Sequence, residues 1–460
     1  LAKCGAIEEA IEASITLSRR TVFSWSAMIS SYAELGHGHD ALRLYQHMQK
    51  DGVEPNHFTF VSLFQACGSI GDLDQAKKLH NEASGKGFLR NPFVGNSLIS
   101  MYTKCGELAA AQRVFDELPV RNTISWSALI AGYTQHGRAQ EALNCFELMQ
   151  TEGLSPDAVT FTCILKACAS FRCVERGKQI HDDVVNRGLL HKDNVLGNAL
   201  VDMYAKCGML PKAEELLKEL PARNVVSWNT LIAGYSQQDR GYEALDCFER
   251  MQKEGISANG VTFSCTLKAC GHIKAIDKGI TIHDEIVKMG LLIEDIVLGN
   301  ALVDMYAKCG MLPKARQVLS ELPLRNVVSW NTLIAGYDQH EHGLESLNSF
   351  SQMQIEGFLP DAVTYVCSLR ACGSIGATDK GKQIHTEIID RRLLENSIIL
   401  GNSLVYMYSK CGLLVKAEEL LNNLPVRNEV SWNVLTAGYA KYARHTGFLR
   451  STLTLLNTEQ

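Results

Sequence analysis

The chain has 460 residues, 46% of them apolar, with 36 Gly, 10 Pro and 21% charged side chains, a composition that buries a large core and excludes a disordered, collagen-like or mucin-like polymer. Its formal net charge of -5 excludes a histone-like polycation and leaves room for a groove that is locally basic. The 15 Cys include no C-x-x-C pair, which points to reduced thiols packed as small apolar residues in a reducing compartment, and no apolar run approaches the roughly 18 to 20 residues that span a bilayer.

A single core stops growing near roughly 250 to 300 residues, so a chain of this length is either several domains or a modular array, and self-similarity is the first thing to test. Trp25, Trp126, Trp228, Trp330 and Trp432 recur every 101 or 102 residues, each after a Ser. Between them recurs G-N-(A/S)-L-(I/V)-x-M-Y-x-K-C-G, from Gly95, Gly197, Gly299 and Gly401, and a (K/R/Q)-A-C string ends at Cys67, Cys168, Cys270 and Cys372. Each long period therefore divides into three related units.

In chain order, residues 1–21 match the end of a short unit. Twelve complete units follow at 22–56, 57–91, 92–122, 123–157, 158–193, 194–224, 225–259, 260–295, 296–326, 327–361, 362–397 and 398–428, and 429–460 begin another. Each unit predicts two helices. In 225–259, Trp228, Leu231, Ile232 and Tyr235 fall at helical spacing, Gly241 interrupts, and Ala244, Cys247, Phe248 and Met251 repeat the stripe. In 194–224, Leu196, Leu200, Met203 and Tyr204 form a stripe that Gly208 stops, and Pro211 opens the next helix. No segment alternates as a strand. A helical hairpin of 31–36 residues cannot bury its apolar face alone, so the hairpins must stack into an all-α solenoid with one concave face. The chain opens at Leu1 inside a unit, so it reads as a fragment without its targeting peptide.

The strings V-V-S-W-N-T-L-I-A-G-Y at 225–235, G-N-A-L-V-D-M-Y-A-K-C-G at 197–208 and K-A-C at 268–270, together with the unit lengths, resemble the pentatricopeptide repeat family. The closest resemblance is to its plant PLS subclass, in which 35-residue P, long L and short S units alternate. The resemblance covers essentially the whole chain. It implies a right-handed α-solenoid that binds single-stranded RNA in a mitochondrion or chloroplast, about one base per repeat, as a specificity factor in RNA processing and C-to-U editing in particular. Accessory editing proteins, or a deaminase acting in trans, would be the implied partners, because no C-terminal extension or deaminase domain is present. The alternative is a protein-binding helical scaffold, since stacked hairpins also form peptide grooves.

The second residue of all thirteen units from 22 onward is apolar. These are Phe23, Phe93, Ile124, Val195, Val226, Val297, Val328, Ile399 and Val430 in P and S units, and Phe58, Val159, Val261 and Val363 in L units. Periodicity alone permits packing against the neighbouring hairpin; the resemblance implies a clamp on each base face. The fifth residues are Ser26, Ser127, Asn229, Asn331 and Asn433 in P units and Asn96, Asn198, Asn300 and Asn402 in S units. The last residues are Asn56, Asp157, Asn259 and Asp361 in P units and Asn122, Asn224, Asn326 and Asn428 in S units. Positions 2 and 5 share a helix face, and short polar side chains there suit readout of a splayed base edge. Asn, Asp and Ser are also the preferred N-caps, a competing role. The fifth residues of L units, Val61, Thr162, Ser264 and Val366, include two without a hydrogen-bonding side chain, so L units are expected to space rather than read.

By the family's pairing of fifth and last residues, with RNA running 5′ to 3′ along the chain, Ser26/Asn56 implies A, Ser127/Asp157 implies G and Asn331/Asp361 implies U. Asn229/Asn259 and the four S units imply pyrimidines. The expected site is A-n-Y-G-n-Y-Y-n-Y-U-n-Y.

Lys3, Lys104, Lys206, Lys308 and Lys410 precede each Cys-Gly, where a lysine could follow phosphates or complement a helix C-terminus. His80, His181, His283 and His385 recur with the repeat, and His283-Asp284-Glu285 and His385-Thr386-Glu387 spell half of a zinc-deaminase signature. The P-C-x-x-C half is absent, and the spacing of Cys163, Cys168 and Cys173 scatters them around a helix. His340-Glu341-His342 is expected in a solvated turn. With no metal, cofactor or catalytic motif, the sequence argues against an enzyme.

Overall fold

A computed structural model describes residues 21–190, 194–293 and 295–446; Lys3, most of the 1–21 unit and residues 447–460 lie outside the described residues. Within the described residues the chain is all-α, with no strand. The helices are α1 (Val22–Glu34), α2 (Gly38–Lys50), α3 (His57–Ile70), α4 (Leu73–Gly85), α5 (Pro92–Lys104), α6 (Leu108–Glu117), α7 (Thr123–Gln135), α8 (Ala139–Thr151), α9 (Ala158–Phe171), α10 (Val174–Asn186), α11 (Asn194–Lys206), α12 (Leu210–Glu219) and α13 (Val225–Gln237). They continue as α14 (Gly241–Lys253), α15 (Gly260–Ile273), α16 (Ile276–Lys288), α17 (Ile296–Lys308), α18 (Leu312–Glu321), α19 (Val327–Gln339), α20 (Gly343–Ile355), α21 (Ala362–Ile375), α22 (Thr378–Asp390), α23 (Ile398–Lys410), α24 (Leu414–Asn423) and α25 (Glu429–Thr446). Odd-numbered helices open a unit and even-numbered helices close it.

Local chemistry sets the boundaries. α3, α7, α9, α15, α19 and α21 start on an Asn or Asp whose side chain accepts a hydrogen bond from the N–H three residues on, satisfying a donor that a helix start leaves free. α5 and α11 end in Lys-Cys-Gly, and Gly106 and Gly208 at φ of 81° and 84° take the left-handed conformation that reverses the chain.

The chain divides into two compact units, 1–231 and 232–460, each a stack of helical hairpins. In both, the tryptophan stripe and its equivalents are sealed: Trp126, Leu129 and Ile130 of α7 and Trp330, Leu333 and Ile334 of α19 are buried. Successive odd-numbered helices pack side by side, α1 on α3, α3 on α5, α5 on α7 and α7 on α9 in the first unit, and α15 through α25 likewise in the second. Even-numbered helices do not reach each other to the same extent. The odd-numbered layer is thus the closely packed side of each stack, and the first turns of those helices line one edge of it.

Candidate nucleic-acid interface

The second residue of each odd-numbered helix is not in the core. From Phe23 to Val430 all thirteen apolar side chains are exposed, by 53 to 72%. The packing role that periodicity allowed for them is therefore excluded, and what remains is an apolar side chain repeated once per hairpin on an otherwise polar face. Isolated exposed apolar residues are ordinary, but a register-locked row of them is a candidate binding surface.

In five P and S units the last residue caps the next helix and also meets the fifth residue of its own unit. Asp157 Oδ1 accepts from Thr160 N–H at 2.8 Å and lies 3.4 Å from Ser127 Oγ. Asn56 Oδ1 accepts from Thr59 N–H at 3.0 Å and Ser26 Oγ at 3.4 Å, and Asp361 Oδ1 from Thr364 N–H and Asn331 Nδ2 at 2.9 Å each. Asn96 and Asn402 donate to Asn122 and Asn428 at 3.4 Å. Capping and pairing are therefore simultaneous, and they use a single oxygen. Burial alone would raise the Asp361 carboxyl, but hydrogen bonds from the Thr364 backbone, the Asn331 amide and the Thr364 hydroxyl outweigh it and hold the group below its ordinary pKa.

The Ser127–Asp157 pair and Asn96 lie in a pocket of about 430 Å³ formed by α3, α5, α7 and α9. Ile124 and Val159, second residues of consecutive units, line it together with Ser127, Asp157 and Asn96, and Lys104 contributes a cation. Lys104 is exposed and has no acidic partner among the described residues, whereas Lys206 and Lys308 are tied to Asp202 and Asp304 one turn back at 2.9 and 2.8 Å. Lys410 lies over the Tyr406 ring at 5.3 Å. The recurrent lysine therefore divides into one available cation, two locally neutralised ones and one resting on an aromatic face.

Other positions are less organised. The buried Oδ1 atoms of Asn96, Asn198 and Asn300 have no hydrogen-bond partner. Asn433 is exposed on α25. Of the L-unit residues, Thr162 spends its hydroxyl on Ala158 O at 2.8 Å, and the preceding caps, Asn91 and Asp295, serve α5 and α17 without any polar fifth residue facing them in the pattern seen above. Sequence reasoning missed one set: Thr59, Thr160, Thr364 and Ser431, buried hydroxyls at the third residue of a unit, each within hydrogen-bond reach of a fifth residue of the unit before. The signal was available as a Thr or Ser three residues after Asn or Asp, the capping-box spacing.

The recurrent histidines are accounted for structurally. Nδ1 of His80, His181, His283 and His385 lies 2.8 to 2.9 Å from the hydroxyl of Tyr102, Tyr204, Tyr306 and Tyr408. No cluster of three or more His, Cys, Asp or Glu suited to a metal occurs among the described residues. The turn expected at His340-Glu341-His342 forms with Glu341 and His342 exposed, but His340 is half-buried, with Nε2 at 2.8 Å from Ala307 O, because it ends α19 against α17. Burial lowers the pKa of all four recurrent histidines. Such a group binds its proton more readily unfolded, so the stability it lends is complete above its ordinary pKa near 6.5 and is lost as pH falls through the lowered folded value. Melting temperature is expected to fall as pH drops below the ordinary histidine pKa near 6.5, and a chain with all four changed to Gln should show a flatter profile there.

A repeat-family model described as the PPR repeat family matches residues 20–69, 121–170, 223–272 and 325–374, and a PPR repeat model matches 58–88, 96–122, 198–225, 300–327 and 402–428. Among relatives from Arabidopsis thaliana, pentatricopeptide repeat-containing protein At4g38010 is 35% identical over 89% of this chain and 72% of its own length. The mitochondrial protein At3g09040 is 36% identical over 92% of the chain, and the chloroplastic protein At1g11290 is 32% identical over 99%. The chain belongs to the pentatricopeptide repeat family. It spans 41% and 56% of the length of the last two relatives. The crystal structure of PPR10 in complex with an 18-nt psaJ RNA element shares the fold, with a TM-score of 0.54 at 17% identity, over 96% of this chain and 75% of that one.

Proposed function

We propose that the chain binds single-stranded RNA sequence-specifically, about one base per P or S repeat, each base held between the second residues of consecutive repeats and read by the fifth and last residues. The observation that carries this is the pocket in which Ile124 and Val159 face a cavity with Ser127 and Asp157 on its lining and Lys104 beside it. Alternating apolar walls, an unused polar edge and a cation are what a base, its Watson–Crick edge and a phosphate require.

The caps supply a physical basis for the choice of base. A cap consumes Oδ1, so an Asn in the last position offers its Nδ2–H donors to the groove, and an Asp offers only its second oxygen, an acceptor. Adenine and cytosine present an acceptor at the centre of their pairing edge; guanine and uracil present an N–H. Asn56, Asn122, Asn224, Asn259, Asn326 and Asn428 would then select A or C, and Asp157 and Asp361 would select G or U. The short Ser26 and Ser127 leave room for a purine and the longer Asn residues for a pyrimidine. The expected site narrows to A-n-C-G-n-C-C-n-C-U-n-C.

Alternating unit lengths support placement in the PLS subclass. The mitochondrial and chloroplastic relatives support an organellar location, and the RNA-bound solved structure supports the ligand class. Within that setting the chain would be the specificity part of an RNA-processing machine, with C-to-U editing as the leading role and a deaminase supplied by another domain or protein.

The test is the Ser127→Asn substitution. RNA selection with the chain should return G at the fourth nucleotide, and the substituted chain should shift that nucleotide toward U, because Asp157 would then be paired with an amide. A matched base edge discriminates by about 1 to 3 kcal/mol. Persistent preference for G, or equal weakening for every RNA, would show that Ser127 packs rather than reads.

A further inference from the structure

We infer that the hydroxyl at the third residue of the following repeat is a third member of each reading site, a positioning residue that orients the protons of the fifth and last side chains. This rests on the base-reading proposal above and adds a residue type to it. The hydroxyl never meets RNA: Thr59, Thr160, Thr364 and Ser431 are fully buried. Each bridges the two reading residues. Thr160 Oγ1 is 2.6 Å from Ser127 Oγ and 2.7 Å from Asp157 Oδ1; Thr59 Oγ1 is 2.7 Å from Ser26 Oγ and 3.1 Å from Asn56 Oδ1. Thr364 Oγ1 is 2.5 Å from Asn331 Oδ1 and 2.9 Å from Asp361 Oδ1, and Ser431 Oγ is 2.6 Å from Asn402 Oδ1 and 2.9 Å from Asn428 Oδ1.

A hydroxyl has one proton, and two oxygens in such close contact need a proton between them. At the fourth base the Asp157 carboxylate, which only accepts, claims the Thr160 proton. The 2.6 Å contact then needs the Ser127 proton, which otherwise goes to Thr123 O at 2.7 Å. Either way the Ser127 proton is consumed inside the protein, and the groove sees two acceptors, Ser127 Oγ and the second oxygen of Asp157. Guanine offers two matching donors, N1–H and N2–H. At Asn331 and Asn402 the one proton of the third hydroxyl is shared between two oxygens that only accept, nearer the fifth residue's Oδ1 (2.5 against 2.9 Å at Thr364, 2.6 against 2.9 Å at Ser431), which fixes the amide with its Nδ2–H toward the last residue and the groove.

The pattern of exceptions agrees. After every L unit the third residue is apolar and buried, Val94, Leu196, Leu298 and Leu400, so no L unit has a third member. At three S units the serine turns to its own cap: Ser125 and Ser227 donate to Asn122 O and Asn224 O at 2.8 Å, and Ser329 to Asn326 Oδ1 at 3.1 Å. There Asn96, Asn198 and Asn300 keep an unpartnered Oδ1. Bases read through Ser26, Ser127, Asn331 and Asn402 should therefore be discriminated more sharply than those read through Asn96, Asn198 and Asn300.

The experiment is Thr160→Val in the whole chain, with binding measured to four RNAs that differ only at the fourth nucleotide. Valine preserves shape and the backbone N–H that Asp157 caps. The expected result is a loss of about three- to tenfold in the G-to-A ratio at that nucleotide, unchanged discrimination at the first nucleotide, and restoration by Thr160→Ser. If the unaltered chain does not discriminate at the fourth nucleotide, base reading itself fails. If it does and Thr160→Val discriminates equally, or weakens all four RNAs alike, the positioning role is overturned while base reading stands. Should Thr160→Val fold poorly, Ser431→Ala tested at the twelfth nucleotide decides the same question.

Discussion

Replacing Ile124 and Val159 together by Asp lowers the affinity of the chain for its cognate RNA by roughly 100-fold, equally for every base at the fourth nucleotide. Loss of an aromatic stacking platform costs about 1 to 3 kcal/mol per base; here two aliphatic walls of one pocket are removed together and each is replaced by a charge. Each new carboxylate also stands in a groove that must accept phosphates. The melting temperature should hardly move, because both side chains are more than half exposed and leave no cavity behind. Fluorescence anisotropy at fixed salt measures the first effect and calorimetry the second. The result also separates the two functions a helical array supports. If the exposed row serves a protein partner, the double substitution leaves RNA affinity intact, and the scaffold alternative takes over. The loss is uniform across bases, so it is also distinguishable from Ser127→Asn, which redirects preference.

Much of this interface was legible in the residues, though not all for the reason first apparent. The all-α array follows from helical stripes and the Trp period, and α7 illustrates how far that reasoning extends. At about 100° per residue, Trp126, Leu129 and Ile130 cluster on one side and Ile124 falls about 160° away from Trp126. The stripe puts Ile124 on another side from its own hairpin's core and leaves open whether the neighbouring hairpin covers it, which its exposure in the structure decides. The division among lysines was equally available, since Asp202 and Asp304 stand one turn before Lys206 and Lys308, whereas Ser100 and Tyr406 stand before Lys104 and Lys410. Capping leaves the proposed base reading possible, because Oδ1 caps and the other terminal atom is left over. The capping-box spacing marked the third hydroxyl as a partner of the cap, but not its contact with the fifth residue of the unit before. Thr160 meets Ser127 only because α7 and α9 pack side by side, and the sequence spacing of 33 residues between them carries no trace of a 2.6 Å contact. The difference between Ser431, which reaches Asn402, and Ser125, which turns to its own cap, is a matter of rotamer and helix spacing that no pattern of residue types encodes.

Phe161→Ala should damage the fold severely, costing about 3 to 5 kcal/mol, and its effect should be confined to its neighbourhood. Phe161 is fully buried in α9, with its ring 6.2 Å from that of Phe146 on α8 and the Arg187 guanidinium 5.3 Å above it. In a stack of hairpins each element contacts only its neighbours, so stability is a sum of local terms and need not be lost all at once. Hydrogen exchange should therefore show α8, α9 and α10 losing protection while α1 and α2 keep theirs. Because α9 also carries Val159 and Thr160, and Asp157 caps it, the same substitution should weaken binding most at the fourth nucleotide. Cognate RNA in excess should restore part of the lost protection, since a ligand that binds only the folded form stabilises it by RT ln(1 + [L]/Kd), about 2.7 kcal/mol at 100 times Kd. A single transition in which every helix loses protection together would contradict the local account and make the chain one cooperative body. Loss of protection around α9 that RNA does not reverse would instead separate this segment from the binding groove.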